Sequence, residues 1–169
     1  MVVPAIIADA GETGTRLFLE FFAATIRNMN TRMAYYRAIR HFFAWSEHYQ
    51  LAGLDDIEPL HIAAYDEQLQ GSMAKPSVKH HLAAIRMLFG WLMTGQMLAT
   101  NPAHAVCGPK HVVKRGKTPV LTTDQDRKLL DSIDISTLIG LRDRALIGVM
   151  TYAFARVGAV VAMRVEGYL

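Results

Sequence analysis

Leu141-Arg142-Asp143-Arg144-Ala145-Leu146-Ile147-Gly148-Val149-Met150-Thr151-Tyr152-Ala153-Phe154-Ala155-Arg156-Val157-Gly158-Ala159-Val160-Val161-Ala162-Met163-Arg164-Val165 sets one cation, Arg156, amid nearly twenty apolar or small residues. Burying a lone charge is costly unless something pairs with it. Arg156 therefore needs either an anion inside the protein or a cleft that admits one from outside. A guanidinium suits a phosphate, because its planar fork of donors matches two phosphate oxygens and its charge persists at every working pH. A membrane span is the competing reading of the nineteen residues Ala145 to Met163. An arginine at the midpoint and the flanking Arg142, Asp143 and Arg144 argue against it, since a mid-span arginine costs about 3 kcal/mol on insertion scales. A buried helix pair whose Arg156 makes an ordinary core salt bridge is the other alternative.

The 169 residues suffice for a real core, in one domain or one domain and part of another. With 51% hydrophobic and 20% charged residues the chain reads as folded and soluble. Its single cysteine, Cys107, excludes an intramolecular disulfide framework and fits a reducing cytoplasm. The start lacks a charged segment followed by an apolar one, which argues against secretion.

The net charge of +3 is concentrated. Residues 1–107 carry 8 Lys+Arg against 9 Asp+Glu, residues 108–119 carry 4 against 0, and residues 120–169 carry 6 against 6. The middle segment, bounded by Pro109 and Pro119 and broken by Gly108 and Gly116, reads as a basic linker between domains. Its Lys110, Lys114, Arg115 and Lys117 would gain affinity for a duplex by releasing counterions.

Helical periodicity organises the rest. Met1 to Gly14, with Pro4, Gly11 and Gly14, reads as a loosely held leader. A helix after Thr15 carries the stripe Leu17, Phe18, Phe21, Phe22 and Ile26. A second, capped by Asn30 or Thr31, runs to about Tyr49 with Tyr36, Ile39, Phe42, Phe43 and Ser46 inward. A shorter third spans about Leu60 to Leu69, and Gly71 to Pro76 forms a turn. A fourth starts near Ser77 as cap and reaches about Thr94. Val78, Leu82, Ile85, Phe89 and Leu92 make its buried seam, while Lys79, Ala83, Arg86 and Gly90 make a second stripe able to approach a backbone closely. That stripe equally fits a solvated helix face. Beyond the linker, Thr122 or Thr123 caps a helix with Leu129, Leu130 and Ile133 on its apolar side, and Gly140 separates it from the helix leading to Arg156. Met163 to Leu169 is compatible with the start of a strand.

The Gly140 to Ile147 run, with Tyr152 to Val157 and Ala162 to Val165, resembles the opening of the catalytic domain of tyrosine recombinases, the phage integrase family. Thr31 to Tyr35, Phe42-Phe43-Ala44-Trp45, Ser77 to Arg86 and Asn101-Pro102-Ala103 resemble that family's core-binding domain, in the same order along the chain. The family's turn glycine is Phe154 here, and its acidic residue three places after the arginine is Ala159. The resemblance implies an all-α chain: an orthogonal four-helix, SAM-like DNA-binding domain at 1–107, a linker at 108–119, and at 120–169 the truncated helical opening of an α+β catalytic domain.

The resemblance also implies a function, site-specific DNA recombination or integration. A tyrosine attacks the DNA phosphate and forms a covalent 3'-phosphotyrosyl link without metal or nucleotide cofactor. Two arginines, a lysine and a histidine or tryptophan stabilise charge on phosphorus. Arg156 falls on the first of those arginines. The His-x-x-Arg motif and the nucleophile that follows it are absent from this sequence, and Tyr168 lies ahead of where they belong. The chain is thus expected to bind duplex DNA without completing strand cleavage. The second and fourth helices would face the DNA, with Thr31, Arg37, Arg40, Ser77, Lys79, His80 and Arg86 as contacts, joined by the linker cations. Double-stranded DNA is the expected partner, homo-oligomerisation on DNA a further expectation, and the cytoplasm the expected location. The resemblance implies neither a metal nor a cofactor, and no His-x3-His or Cys-x2-Cys spacing supports a metal site. The alternative function is that of a non-catalytic helical DNA-binding regulator or accessory protein.

Overall fold

A computed structural model describes residues 1–112 and 120–164. All regular structure among the described residues is helical. The chain divides into two compact units, Met1–Val112 and Val113–Leu169. No helix among the described residues is long and apolar enough to cross a membrane.

In the first unit, α1 (Ala5–Asp9) and α2 (Gly11–Glu20) meet at a corner. The amino-terminal segment is held rather than loose. Ile6 and Ile7 are buried, the Val2 N–H donates to the Tyr36 hydroxyl at 2.6 Å, and that hydroxyl donates to the Val2 carbonyl at 3.1 Å. Its glycines make the corner. Gly11 has φ +89, and a Cβ on Gly14 would lie 3.0 Å from the Ile7 carbonyl oxygen, so α1 can fold back onto α2. The helix consequently starts before Thr15, and it ends in one π-helical turn, Phe21–Thr25.

Asn28, rather than Asn30 or Thr31, caps α3 (Met29–His48), its side chain accepting from the Thr31 N–H at 3.1 Å. After a short 3-10 turn, Leu54–Asp56, α4 runs Pro59–Ser72 and α5 Lys75–Thr94. Ser77 is not the cap of α5. Pro76 sits in the first turn, where its missing N–H costs nothing, so a proline that reads as the end of a turn in fact opens the helix. Both long helices close alike. Leu51 N–H bonds to Ser46 O and Met97 N–H to Leu92 O, with Gln50 and Gln96 left-handed at φ 59 and 60.

The core lies around α5, which packs against α2, α3 and α4. All five seam residues, Val78, Leu82, Ile85, Phe89 and Leu92, are buried, as is the inward set of α3. Phe42 joins the helices, its ring 5.1 Å from Tyr65 of α4 and 6.1 Å from Phe89 of α5. Residues 101–108 then return along α5. Asn101 Nδ2 donates to the Arg86 carbonyl at 2.9 Å, Asn101 Oδ1 accepts from the Ala103 N–H, and Gly108 lies against Leu82.

One buried carboxylate is poorly served. Asp66 Oδ2 accepts from Gln70 at 2.6 Å, while Oδ1 has no partner among the described residues. Burial raises its pKa above the usual carboxylate value, and the Gln70 bond offsets part of that rise. An acid with a raised folded pKa holds its proton more tightly when folded. Its contribution to stability is complete in acid and is lost as pH rises from the unfolded value through the folded one. Asp66→Asn is expected to stabilise the protein by about 1 kcal/mol at neutral pH and by nothing below about pH 3. Equal denaturation midpoints of the two proteins at neutral pH would reject this.

The second unit comprises α6 (Thr123–Asp131), α7 (Leu138–Ala153) and α8 (Val157–Val161). Thr122 caps α6 in a reciprocal pair with Gln125. Thr137 caps α7 through the Gly140 N–H at 3.1 Å. Gly140 thus belongs to the first turn of α7, and the Asp134 carbonyl occupies the place a Cβ would need. Leu130 and Val160 are buried, but Leu129, which the periodicity sets on the apolar side, is exposed, as are Leu138, Ile139, Tyr152, Phe154, Val157 and Val161. Met163 and Arg164 are not helical, and the remainder of the expected strand lies outside the described residues.

Candidate nucleic-acid interface

Helical spacing places Ala34, Arg37, Ala38 and His41 on one stripe of α3. With Met73, which ends α4, and Pro76, Ser77, His80 and His81 from the start of α5 they line an open groove. Ala34 and Ala38 keep it open because they carry only a methyl group. Arg37 is exposed and makes no ion pair among the described residues. Among the described residues no carboxylate lines the groove, and the first turn of α5 holds Lys75 and no acidic residue, so its positive helix end is not offset.

Three side chains went unread as contacts in the sequence, His41 and His81 in the groove lining and Tyr65 beneath them. Tyr65 of α4 is fully buried, and its hydroxyl lies 2.7 Å from His41 Nδ1 and 2.9 Å from His81 Nδ1. Burial pushes the phenol pKa far up, so it keeps its proton. Burial also lowers the His81 pKa, helped by the charges of His41 and His80. His80 packs edge-on against Tyr35 at 5.0 Å and its buried Nε2 has no partner among the described residues. Only the pairing of α3 and α5 with α4 beneath them joins these residues.

The other expected contacts scatter around this groove. Thr31 is exposed in the first turn of α3, on the same stripe as Ala34, and Lys79 is exposed on α5. Arg40 lies elsewhere, over the Tyr36 ring at 5.9 Å and beside Val2 to Ala5. Arg86 is engaged by the protein itself, Nε donating to Ala103 O at 3.1 Å and Nη2 to Val106 O at 2.6 Å. Gly90 faces Asn101. The close backbone approach that the Lys79, Ala83, Arg86, Gly90 stripe permits is thus made, in its carboxyl-terminal half, by residues 101–106 of the same chain. Lys110 is exposed at the end of the first unit, while Lys114, Arg115, Lys117 and Tyr168 lie outside the described residues.

In the second unit Arg156 occupies the extended step between α7 and α8, φ −71 and ψ 144, and caps α8 through its carbonyl. It is exposed and makes no ion pair among the described residues, whereas Arg142 pairs with Asp143 at 2.7 Å and Arg144 with Asp131 at 3.1 Å. Phe154 just before it is left-handed, φ 50 and ψ 29, and 91% exposed. A side chain costs energy in that conformation and here gains little packing. Phe154→Gly is expected to stabilise the end of α7 by about 0.5–1 kcal/mol, read as slower amide exchange in its last turn. Faster exchange would reject the strain. Among the described residues no group of three or more His, Cys, Asp or Glu side chains could hold a metal ion.

Residues 16–96, which span α2 to α5, match the family model described as phage integrase, N-terminal SAM-like domain. Tyrosine recombinase XerD of Listeria monocytogenes serotype 4b (strain F2365) is 31% identical over 143 residues, covering 81% of this chain and 46% of that protein. Tyrosine recombinase XerC of Escherichia coli O1:K1 / APEC is 34% identical over 93 residues, 53% of this chain and 29% of that protein. The chain thus spans less than half the length of these curated relatives. No solved structure matches it. Its helical amino-terminal unit, and a likeness to XerD that extends over 81% of the chain, make it a member of the tyrosine recombinase (phage integrase) family.

Proposed function

We propose that the first unit binds duplex DNA through the α3–α5 groove and its rim, as the core-binding domain of a protein acting in site-specific recombination. The observation that carries this is the convergence of Arg37, Ser77 and His80 from two helices on one groove that no carboxylate lines among the described residues. Thr31 and Lys79 extend the surface along α3 and α5. Lys110, with Lys114, Arg115 and Lys117, adds phosphate contacts that carry no sequence information. Arg40 and Arg86 contribute charge at a distance, their side chains being occupied within the protein.

The second unit is, in this reading, the opening of the catalytic domain, and Arg156 a contact to the phosphate at which the strand is cut. Its exposure, with no carboxylate partner among the described residues, supports that role. The exposed apolar residues of α7 and α8 would be covered by the rest of such a domain. Homo-oligomerisation on DNA and a cytoplasmic location belong to the same proposal.

Fluorescence anisotropy with a labelled duplex tests it. Affinity should fall steeply with salt, log K losing about 0.9 per phosphate neutralised for each decade of salt, and several copies per duplex at saturation would show assembly. Absence of binding at low salt, or binding insensitive to salt, would reject it.

A further inference from the structure

The Tyr65 hydroxyl carries one proton, yet two imidazole nitrogens lie within hydrogen-bond distance of it, His41 Nδ1 at 2.7 Å and His81 Nδ1 at 2.9 Å. One O–H can donate to only one of them. The other nitrogen must bear its own proton and donate to the phenol oxygen. The imidazole that donates from Nδ1 can take a second proton at Nε2 and leave both bonds intact. The imidazole that accepts from Tyr65 cannot gain a proton at Nδ1 while the O–H points at it. The triad therefore accommodates one imidazolium and resists two.

Its surroundings decide which histidine takes the proton. His41 is exposed in the groove, whereas His81 is half-buried and disfavoured as a cation by burial and by its neighbours. The charged and titratable groups lining the groove are Arg37 and His41 from α3 and His80 and His81 from α5, with Tyr65 entering from α4. Asp66, next to Tyr65 on α4, turns to Gln70 and toward Gly108. Among the described residues nothing anionic lines the groove to favour an imidazolium, and a phosphate seated beside Arg37 would supply that charge.

We propose that seating a DNA phosphate in this groove is coupled to uptake of one proton by the His41–Tyr65–His81 triad, so that duplex affinity rises as pH falls. The inference rests on the duplex-binding reading above and adds to it a proton as co-ligand. At constant ionic strength, affinity for a random-sequence duplex of about 30 base pairs should be about five- to tenfold higher at about pH 6 than at about pH 8.

Titration calorimetry on the whole chain at about pH 7, in two buffers of different ionisation enthalpy, counts the protons directly. The expected result is uptake of between about half and one proton per groove occupied, lost in His41→Gln and kept in His48→Gln, whose histidine lies near the carboxyl end of the same helix. Heats independent of buffer in the wild type, or uptake that persists in His41→Gln, would overturn the proposal while leaving duplex binding standing. Failure to bind the duplex at either pH would instead overturn the reading on which it rests. Should His41→Gln lose its helical circular dichroism, the wild-type buffer comparison decides by itself.

Discussion

Phe42→Ala is expected to destabilise the first unit by about 3–5 kcal/mol. The side chain is 1% exposed and its ring meets Phe43 at 5.4 Å, Trp45 at 6.2 Å, Tyr65 at 5.1 Å and Phe89 at 6.1 Å, so one substitution empties the place where α3, α4 and α5 converge. Removing the ring forfeits its burial, leaves a cavity its helical neighbours cannot close, and loses edge-to-face contacts with Tyr65 and Phe89. The measurement is selective, because the chain has two tryptophans, Trp45 and Trp91, and both lie in the first unit. Urea unfolding followed by their fluorescence reports this core and not the second unit. A loss below about 1 kcal/mol would mean that Phe42 does not join the three helices. Duplex binding should fall with stability, since Phe42 packs directly beneath the groove through Tyr65, whose hydroxyl reaches His41 and His81.

The same residues show what periodicity can and cannot reveal. Val78, Leu82, Ile85, Phe89 and Leu92 repeat at helical spacing because one side of α5 faces the core, so the seam and the all-helical fold are legible from spacing alone. Helix starts are less so. Asn28, Asn30 and Thr31 are all able caps, and only the position of the Asn28 side chain at the Thr31 N–H decides among them. Gly11 and Gly14 read as slack because a glycine that relaxes a chain and one that permits a tight corner look the same in a sequence. At the groove Arg37, Ser77 and His80 are among the contacts that the family resemblance implies, but His41, Tyr65 and His81 are not. They are 24 and 16 positions apart and share no motif, and only packing brings α4 beneath α3 and α5. Arg156 is a different case. Its apolar neighbours in sequence suggest a buried cation, yet it lies exposed between two helices whose own apolar residues are largely uncovered.

Arg86→Ala and Arg37→Ala should separate structure from recognition. Both remove a cation from the two helices proposed to face the duplex, so a reading by charge alone predicts equal losses of affinity. The geometry predicts otherwise. Arg86 forks onto the carbonyls of Ala103 and Val106, and Asn101 ties the Arg86 carbonyl back to the same returning segment. Its loss leaves two carbonyls without their donor and frees residues 101–108 from α5, at a cost of about 2–3 kcal/mol by urea unfolding, with faster proteolytic cleavage after Met97. Arg86→Lys should recover little, because an ammonium cannot reproduce the fork. Arg37 is exposed and bonded to nothing among the described residues, so Arg37→Ala should leave stability within about 0.5 kcal/mol of wild type. It should nonetheless weaken duplex binding about tenfold and reduce the salt slope by about one. If Arg86→Ala were as stable as wild type and matched Arg37→Ala in lost affinity, the guanidinium of Arg86 would be serving the duplex, and residues 101–106 would not be the partner that holds it.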